Sequence, residues 1–198
     1  MRSTILVAVA TFAVSAACAA TTYEGNGQSP QQFVLSGRAA DRLHDHTSIN
    51  LETAEKLVAA CQAIARKTNS SPVIVVIDPQ GLPVLESRMD GAGWLQIKAT
   101  ELKTLTALHT RAPSHALTNR NVQDPFTSQN MAGYGLTTNK GGLPIIANGQ
   151  LIGAMGAGGM GTANAEEMCV HDALEQVIGP QPPLLPDVTS RPTNAPAN

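Results

Sequence analysis

The chain has 198 residues, a formal net charge of −2 and only 3% aromatic residues. That length suits one domain with tails, and the near-neutral charge excludes a basic field for nucleic acid or an anionic membrane surface. With so few rings, the core has to be built from Val, Ile, Leu and Ala, which requires close packing of helices on a sheet.

At the N-terminus Arg2 is followed by "ILVAVATFAVSAA" and then by the small residues "ACAA". A positive residue, a short apolar run and a small-residue cleavage site predict a signal peptide over residues 1–20. The expected cut lies near Ala19 or Ala20, with a periplasmic or secreted product and no membrane-spanning segment left after processing. A lipoprotein acylated on Cys18 is the alternative, although Ser15 is a poor match to its usual motif. Residues 21–47 are polar and weakly patterned and are expected to form an arm. They contain His44-Asp45-His46, a weak metal motif for which a solvated linker is the preferred reading.

The folded domain is expected over 48–179. From Leu51, apolar residues recur at Ala54, Leu57, Val58, Cys61, Ile64 and Ala65, which predicts a helix with one buried face. Asn50 is its N-cap and Glu52 favours its first turn. Glu52 and Glu55 also form E-x-x-E, for which the dipole and solubility reading is preferred over iron binding. Two β-rich runs, 73–78 and 82–88, flank Asp78-Pro79-Gln80-Gly81 and predict a hairpin. A helix is predicted from Leu95 to Thr110. Residues 111–142 read as a long polar loop, and a loop of that length is usually functional. "LPIIANGQLIGAMGAG" predicts a second hairpin around Asn148-Gly149, the preferred type I′ pair. The last helix is expected from Asn164 to Ile178, with Asn164 and Glu167 as a capping-box variant. Gly179-Pro180 ends it, and the Pro-rich residues 180–198 are expected to be a disordered tail.

Gly156, Gly158 and Gly161 read G-x-G-x-x-G, but the helix after them is the last element and no strand follows. A dinucleotide-binding unit needs both a following strand and its acidic residue. The glycines therefore point to close backbone approach, toward a ligand or another subunit. N–H groups at the start of the last helix are also placed to hold a carboxylate or another anion. The hairpins imply a mainly antiparallel sheet within an α/β fold. With Cys18 removed, Cys61 and Cys169 remain. Export permits a disulfide between them, while packing as free apolar thiols on two helix faces is the preferred reading. Their spacing leaves both open.

"VIDPQGLPVLESRMDGAG", "IKATELKTLTAL", "GYGLTTNKGGLPI" and "GQLIGAMGAGG" occur in an order and spacing that resemble the GlcG/HbpS-like family, over roughly residues 48–178. That family includes extracellular heme-binding proteins and the C-terminal domain of PduO-type cobalamin adenosyltransferases. The resemblance implies a profilin-like sandwich, a homo-oligomer and heme as the cofactor. It marks Arg88 and Asp90 within R-M-D-G, Lys103 in a helical K-A-x-T-A where Thr104 replaces the usual Ala, Tyr134 in Tyr134-Gly135-Leu136, and Gly141 with Gly142 in G-G-x-P.

Together these residues suggest a pocket. Arg88 suits a propionate or another carboxylate. Ala99, Lys103, Thr106 and Thr110 share one helical stripe with polar character. Gly141, Gly142, Gly158 and Gly159 could bring two backbone segments around one cavity. Heme needs an axial ligand, and His109 and His115 flank the junction of helix and loop. His115 lies in "SHALT" where relatives carry T-H-x-x-T, whereas His171 reads as a helix-surface residue.

Three readings result. The first is an exported oligomeric binding protein for heme or a related tetrapyrrole, with a redox or degradative role in view. The second is an enzyme on a small carboxylated metabolite, anchored by Arg88 with Lys103 or His115 as general acid or base. The third is an oligomeric accessory protein without a small ligand.

Overall fold

The computed structural model describes residues 47–116, 118 and 125–188. The signal-peptide, Cys18 and His44-Asp45-His46 readings, with most of the arm and the last residues of the tail, lie outside the described residues. In chain order the elements are α1 (Leu51–Lys67), β1 (Val73–Ile77), β2 (Pro83–Arg88), α2 (Trp94–Thr110), α3 (Pro125–Gly133), β3 (Gly142–Ala147), β4 (Gln150–Gly158), α4 (Ala163–Val177) and a 3-10 turn (Pro186–Val188). The four strands form one antiparallel sheet in the order β2-β1-β4-β3. The fold is the expected α/β sandwich of hairpins with packed helices.

Local chemistry sets the element ends. Asn50 accepts a hydrogen bond from Thr53 N at 2.8 Å and caps α1. Asp78 Oδ1 accepts from Gln80 N and Leu82 N, both at 2.9 Å, and fixes the first hairpin turn. Asn148 and Gly149 both adopt positive φ, 51° and 78°, as a type I′ turn requires. The last helix is capped by Thr162 rather than Asn164. Thr162 is extended and accepts from Ala165 N at 3.1 Å, whereas Asn164 already lies in the first turn. Part of the expected loop is helical as α3.

Alternation along the strands sorts the core into two layers. Ile74, Val76, Leu143, Ile145 and Met155 face α1 and α4, where they meet Leu57, Val58, Val170 and Leu174. Each large side chain buried there, such as Leu57 or Ile74, contributes about 1.5–3 kcal/mol. Val73, Val75, Ile77 and Ala154 face α2. Cys61 of α1 and Cys169 of α4 form a disulfide across the first layer, with Cα atoms 5.4 Å apart. This corrects the preferred reading of two free thiols: the faces that bury them are packed on each other.

On the α2 side β3 and β4 present bare backbone at three glycines. A Cβ on Gly142, Gly156 or Gly158 would fall inside contact distance of Lys103 O, Thr104 Oγ1 and Thr100 Oγ1 respectively. The glycines therefore seat α2 on β3 and β4 within a single chain. The buried hydroxyls are satisfied by their own helix: Thr100 donates to Gln96 O at 2.6 Å, and Thr104 donates to Thr100 O and Thr106 to Leu102 O, both at 2.7 Å. A polar stripe can thus be buried without a ligand to satisfy it.

Residues 180–188, expected within the disordered tail, are ordered as a strap along β3, one of the two edge strands. Gln181 donates to Ile146 O at 2.9 Å and accepts from Ile146 N at 3.3 Å, which covers part of an otherwise open edge. Val188 is fully buried.

Candidate functional site

Where β3 begins and β4 ends, a buried polar cluster collects several of the expected residues. Lys103 comes from α2 and is 5% exposed. Its Nζ donates to Ala157 O at 3.2 Å and forms a salt bridge with Glu166 Oε2. Glu166 Oε1 accepts from Gly159 N at 2.7 Å and from Met160 N at 3.4 Å. The neighbouring Glu167 is fully buried and accepts from Gly141 N at 3.1 Å. Gly141 is left-handed (φ 110°), and a Cβ there would lie 2.6 Å from Ala157 O. Ser114 ties the junction to the sheet, accepting from Gly142 N at 3.1 Å and donating N–H to Gly142 O at 2.9 Å.

The chemistry anticipated for a ligand carboxylate is therefore present, but the chain fills it. The ammonium and the N–H groups of Gly141, Gly159 and Met160 hold Glu166 and Glu167. Burying an ion costs several kcal/mol unless it is paired and hydrogen-bonded; here Lys103 and Glu166 are paired, and Glu167 is held through Oε2 while its Oε1 has no hydrogen bond.

His115 extends the cluster. Its ring is 4% exposed, with Nδ1 2.9 Å from Glu167 Oε2 and Nε2 3.2 Å from Asp187 Oδ1 on the strap. His115 Nδ1 and Glu167 Oε1 make no aligned hydrogen bond, so Nδ1 meets Glu167 Oε2 as a charge contact when the ring is protonated. Lys140 closes the latch, 2.8 Å from Asp187 Oδ2 and donating to Asn164 Oδ1 at 2.9 Å. Burial pulls the His115 pKa down, but the carboxylates of Glu167 and Asp187 outweigh it and hold the pKa above its ordinary 6.5. A raised histidine pKa stabilises the fold fully below 6.5, and this stabilisation fades as pH rises through the folded-state value. Thermal melts should therefore show a loss of stability above neutral pH that a His115→Gln variant lacks. Equal pH profiles for the two proteins would refute the ion-pair role.

The remaining expected residues lie elsewhere. Arg88 is exposed at the end of β2 and donates to Ala92 O at 2.9 Å. Asp90 is also exposed, in the turn after it. Thr106 is buried and accepts from Thr137 N at 2.9 Å. Tyr134 is 78% exposed. His109 is exposed on the last turn of α2. Among the described residues, no group of three or more His, Cys, Asp or Glu is placed to hold a metal ion, and no helix is long and apolar enough to cross a membrane.

Sequence reasoning missed a second feature. A groove of about 250 Å³ lies between β3, α4 and the strap. Leu143, Ile146, Leu174 and Leu184 wall it, and Arg111 and His171 also line it. The His171 side chain is only 11% exposed, and its Nε2 lies 3.2 Å from Pro182 O, which braces the strap against α4.

Residues 49–175 match the family model described as haem degrading protein HbpS-like. The chain is 33% identical over 134 residues to an uncharacterized 15.0 kDa protein from the dhaT-dhaS intergenic region of Citrobacter freundii, covering 65% of this chain and 91% of that protein. It is 30% identical over 110 residues to the protein GlcG of Escherichia coli, covering 54% and 79%. The crystal structure of a double mutant of Streptomyces reticuli HbpS superposes with a TM-score of 0.62 at 25% identity, covering 73% of this chain and 96% of that one.

Proposed function

The chain belongs to the HbpS-like family, and on that premise we propose that it binds heme or a related tetrapyrrole as an exported homo-oligomer. The observation that carries the reading is the family match across residues 49–175, almost all of the domain between the first helix and the strap. Heme asks for apolar contact with its ring, a cation for its propionates and a donor to its iron. The Lys103–His115 cluster does not fit these needs, because its cations and N–H groups are already neutralised by Glu166, Glu167 and Asp187. It serves as an internal brace that joins α2, α4, β3 and the strap. The reading of an enzyme anchored by Arg88 with Lys103 gains no support from the geometry, since the first is exposed and bonded to Ala92 O while the second is buried and paired.

Titration of purified protein with hemin tests the proposal. A saturable Soret shift with no more than one heme per chain is expected, and a linear, non-saturating response would contradict binding. Breakdown of bound heme, the activity in the family's description, would appear as loss of the Soret band after a reductant is added in air.

Export is supported by the N-terminal pattern and by the Cys61–Cys169 pairing, since disulfides persist in oxidising compartments. Mass spectrometry of protein from its native host should find a chain starting near Ala20 or Thr21. An intact Met1 would remove export from the account, and a lipid on Cys18 would replace soluble export with anchoring. Assembly is supported by Trp94 and Leu95, adjacent on α2 and 71% and 72% exposed. Light scattering should report at least a dimer.

A further inference from the structure

We propose that the groove between β3, α4 and the strap binds a small apolar monocarboxylate, one aromatic ring on a short acid chain, with the Arg111 guanidinium as the anchor for its carboxylate. This ligand is distinct from heme, which the groove is too small to hold at about 250 Å³, and its binding does not depend on heme. Size, charge and rigidity point to it.

Leu143, Ile146, Leu174 and Leu184 wall the groove. An engineered apolar cavity of about 150 Å³ binds benzene, so this groove has room for a phenyl ring and a chain of a few atoms. Apolar walls of this kind are a poor site for water and favour moving a ring out of solvent.

The lining leaves one kind of polar partner open. Gln181 uses its amide on Ile146 N and O, and His171 Nε2 meets Pro182 O, with Glu175 Oε1 3.8 Å away. Arg66 and Arg88 are bonded to Gln62 Oε1 and Ala92 O. Arg111, by contrast, is exposed, lines the groove, and among the described residues has no side-chain hydrogen bond or ion pair. It is left-handed (φ 53°) at the C-terminal end of α2, where glycine or asparagine is usual. That conformation turns the chain into Ala112 and Pro113, which also line the groove. A guanidinium can hold a carboxylate through two parallel N–H bonds, so a single cation beside an apolar slot matches a ring that carries a single acid.

The slot is also formed in advance. Pro113, Pro144, Pro182 and Pro183 line it, and their fixed φ holds the walls in shape. The strap is pinned by Gln181 on β3 and by Asp187 on Lys140 and His115. Binding to such a slot orders little of the protein, which lowers its entropic cost.

Calorimetric titration of the purified protein with phenylacetate, without hemin, tests the site, and phenylacetamide is the uncharged control of the same shape. Saturable binding of no more than one acid per chain is expected. The Kd should be about tenfold higher or more for the amide, and for the acid on Arg111→Gln. Arg111→Gln keeps a long side chain at an exposed position, so its circular dichroism should match the parent's, and Arg111→Lys should recover part of the affinity. In the parent, nuclear Overhauser contacts from the phenyl protons should fall on methyl groups of Leu143, Ile146 and Leu184, which locates the ligand without any variant. No saturable binding by the parent, equal affinity for acid and amide, an unchanged Kd in Arg111→Gln, or Overhauser contacts to other methyl groups would each overturn the assignment. None of these results touches the hemin titration, which is decided separately.

Discussion

Gly142→Ala is expected to cost about 3 kcal/mol of stability, the upper end for overpacking a core with one methyl group. The added Cβ would meet Lys103 O and the Lys103 carbonyl carbon, which lie in the backbone of α2 where no rotamer change can relieve the clash. The strand cannot yield either, because Ser114 bonds Gly142 on both its N–H and its C=O. Relief requires α2 to lift off β3, which would also disturb the Lys103–Glu166 pair. For a domain of this size the loss corresponds to a fall in Tm of roughly 10 °C. Gly133→Ala is the control: nothing lies within 4 Å of its Cβ, and it should be neutral or slightly stabilising. Equal melting temperatures for the two variants would show that α2 does not rest on bare backbone.

Reduction of the Cys61–Cys169 disulfide should lower stability by about 2–5 kcal/mol. The bond closes a loop with a sequence separation of 108, long enough for the unfolded chain to gain much entropy once it is opened. Folded contacts change little, since both sulfurs stay between α1 and α4 in the same core layer. Denaturation with and without reductant, and of a Cys61→Ala/Cys169→Ala variant, should give matching losses. Midpoints unaffected by reductant would mean that the bond carries no stability.

Much of the fold was legible because single elements carried strong local signals. The 3.6-residue spacing from Leu51, the Asn148-Gly149 turn and the Asp78 turn each determined an element almost to its ends. Helix α3 was hidden because its sequence has no apolar periodicity, and the strap because Pro-rich composition resembles a disordered tail. The strap's order comes instead from long-range bonds by Gln181 and Asp187. The Cys61–Cys169 pairing was equally invisible, since it depends on how α1 meets α4.

The candidate site was legible in its chemistry and not in its occupant. Lys103, His115 and Gly141 do gather, and backbone N–H groups do hold carboxylates. Those carboxylates belong to Glu166 and Glu167, which follow the glycine turn by less than two helical turns and can fold back on it. Two adjacent acids so soon after a glycine-rich turn were the available signal. Arg88 and Asp90 stay outside because β2 is the opposite edge of the sheet from β3.

That Lys103 and Glu166 form an internal brace rather than a ligand site can be tested most directly by measuring the hemin dissociation constant of the parent protein and one double variant side by side. Lys103→Met with Glu166→Gln removes both charges of the buried pair together, a change that is often nearly neutral for folding. The account predicts parent-like hemin affinity for the double variant, because the charges it removes serve only each other and the backbone around them. Loss of affinity in the double variant, with its circular dichroism and melting temperature like the parent's, would place the ligand at Lys103 and contradict it.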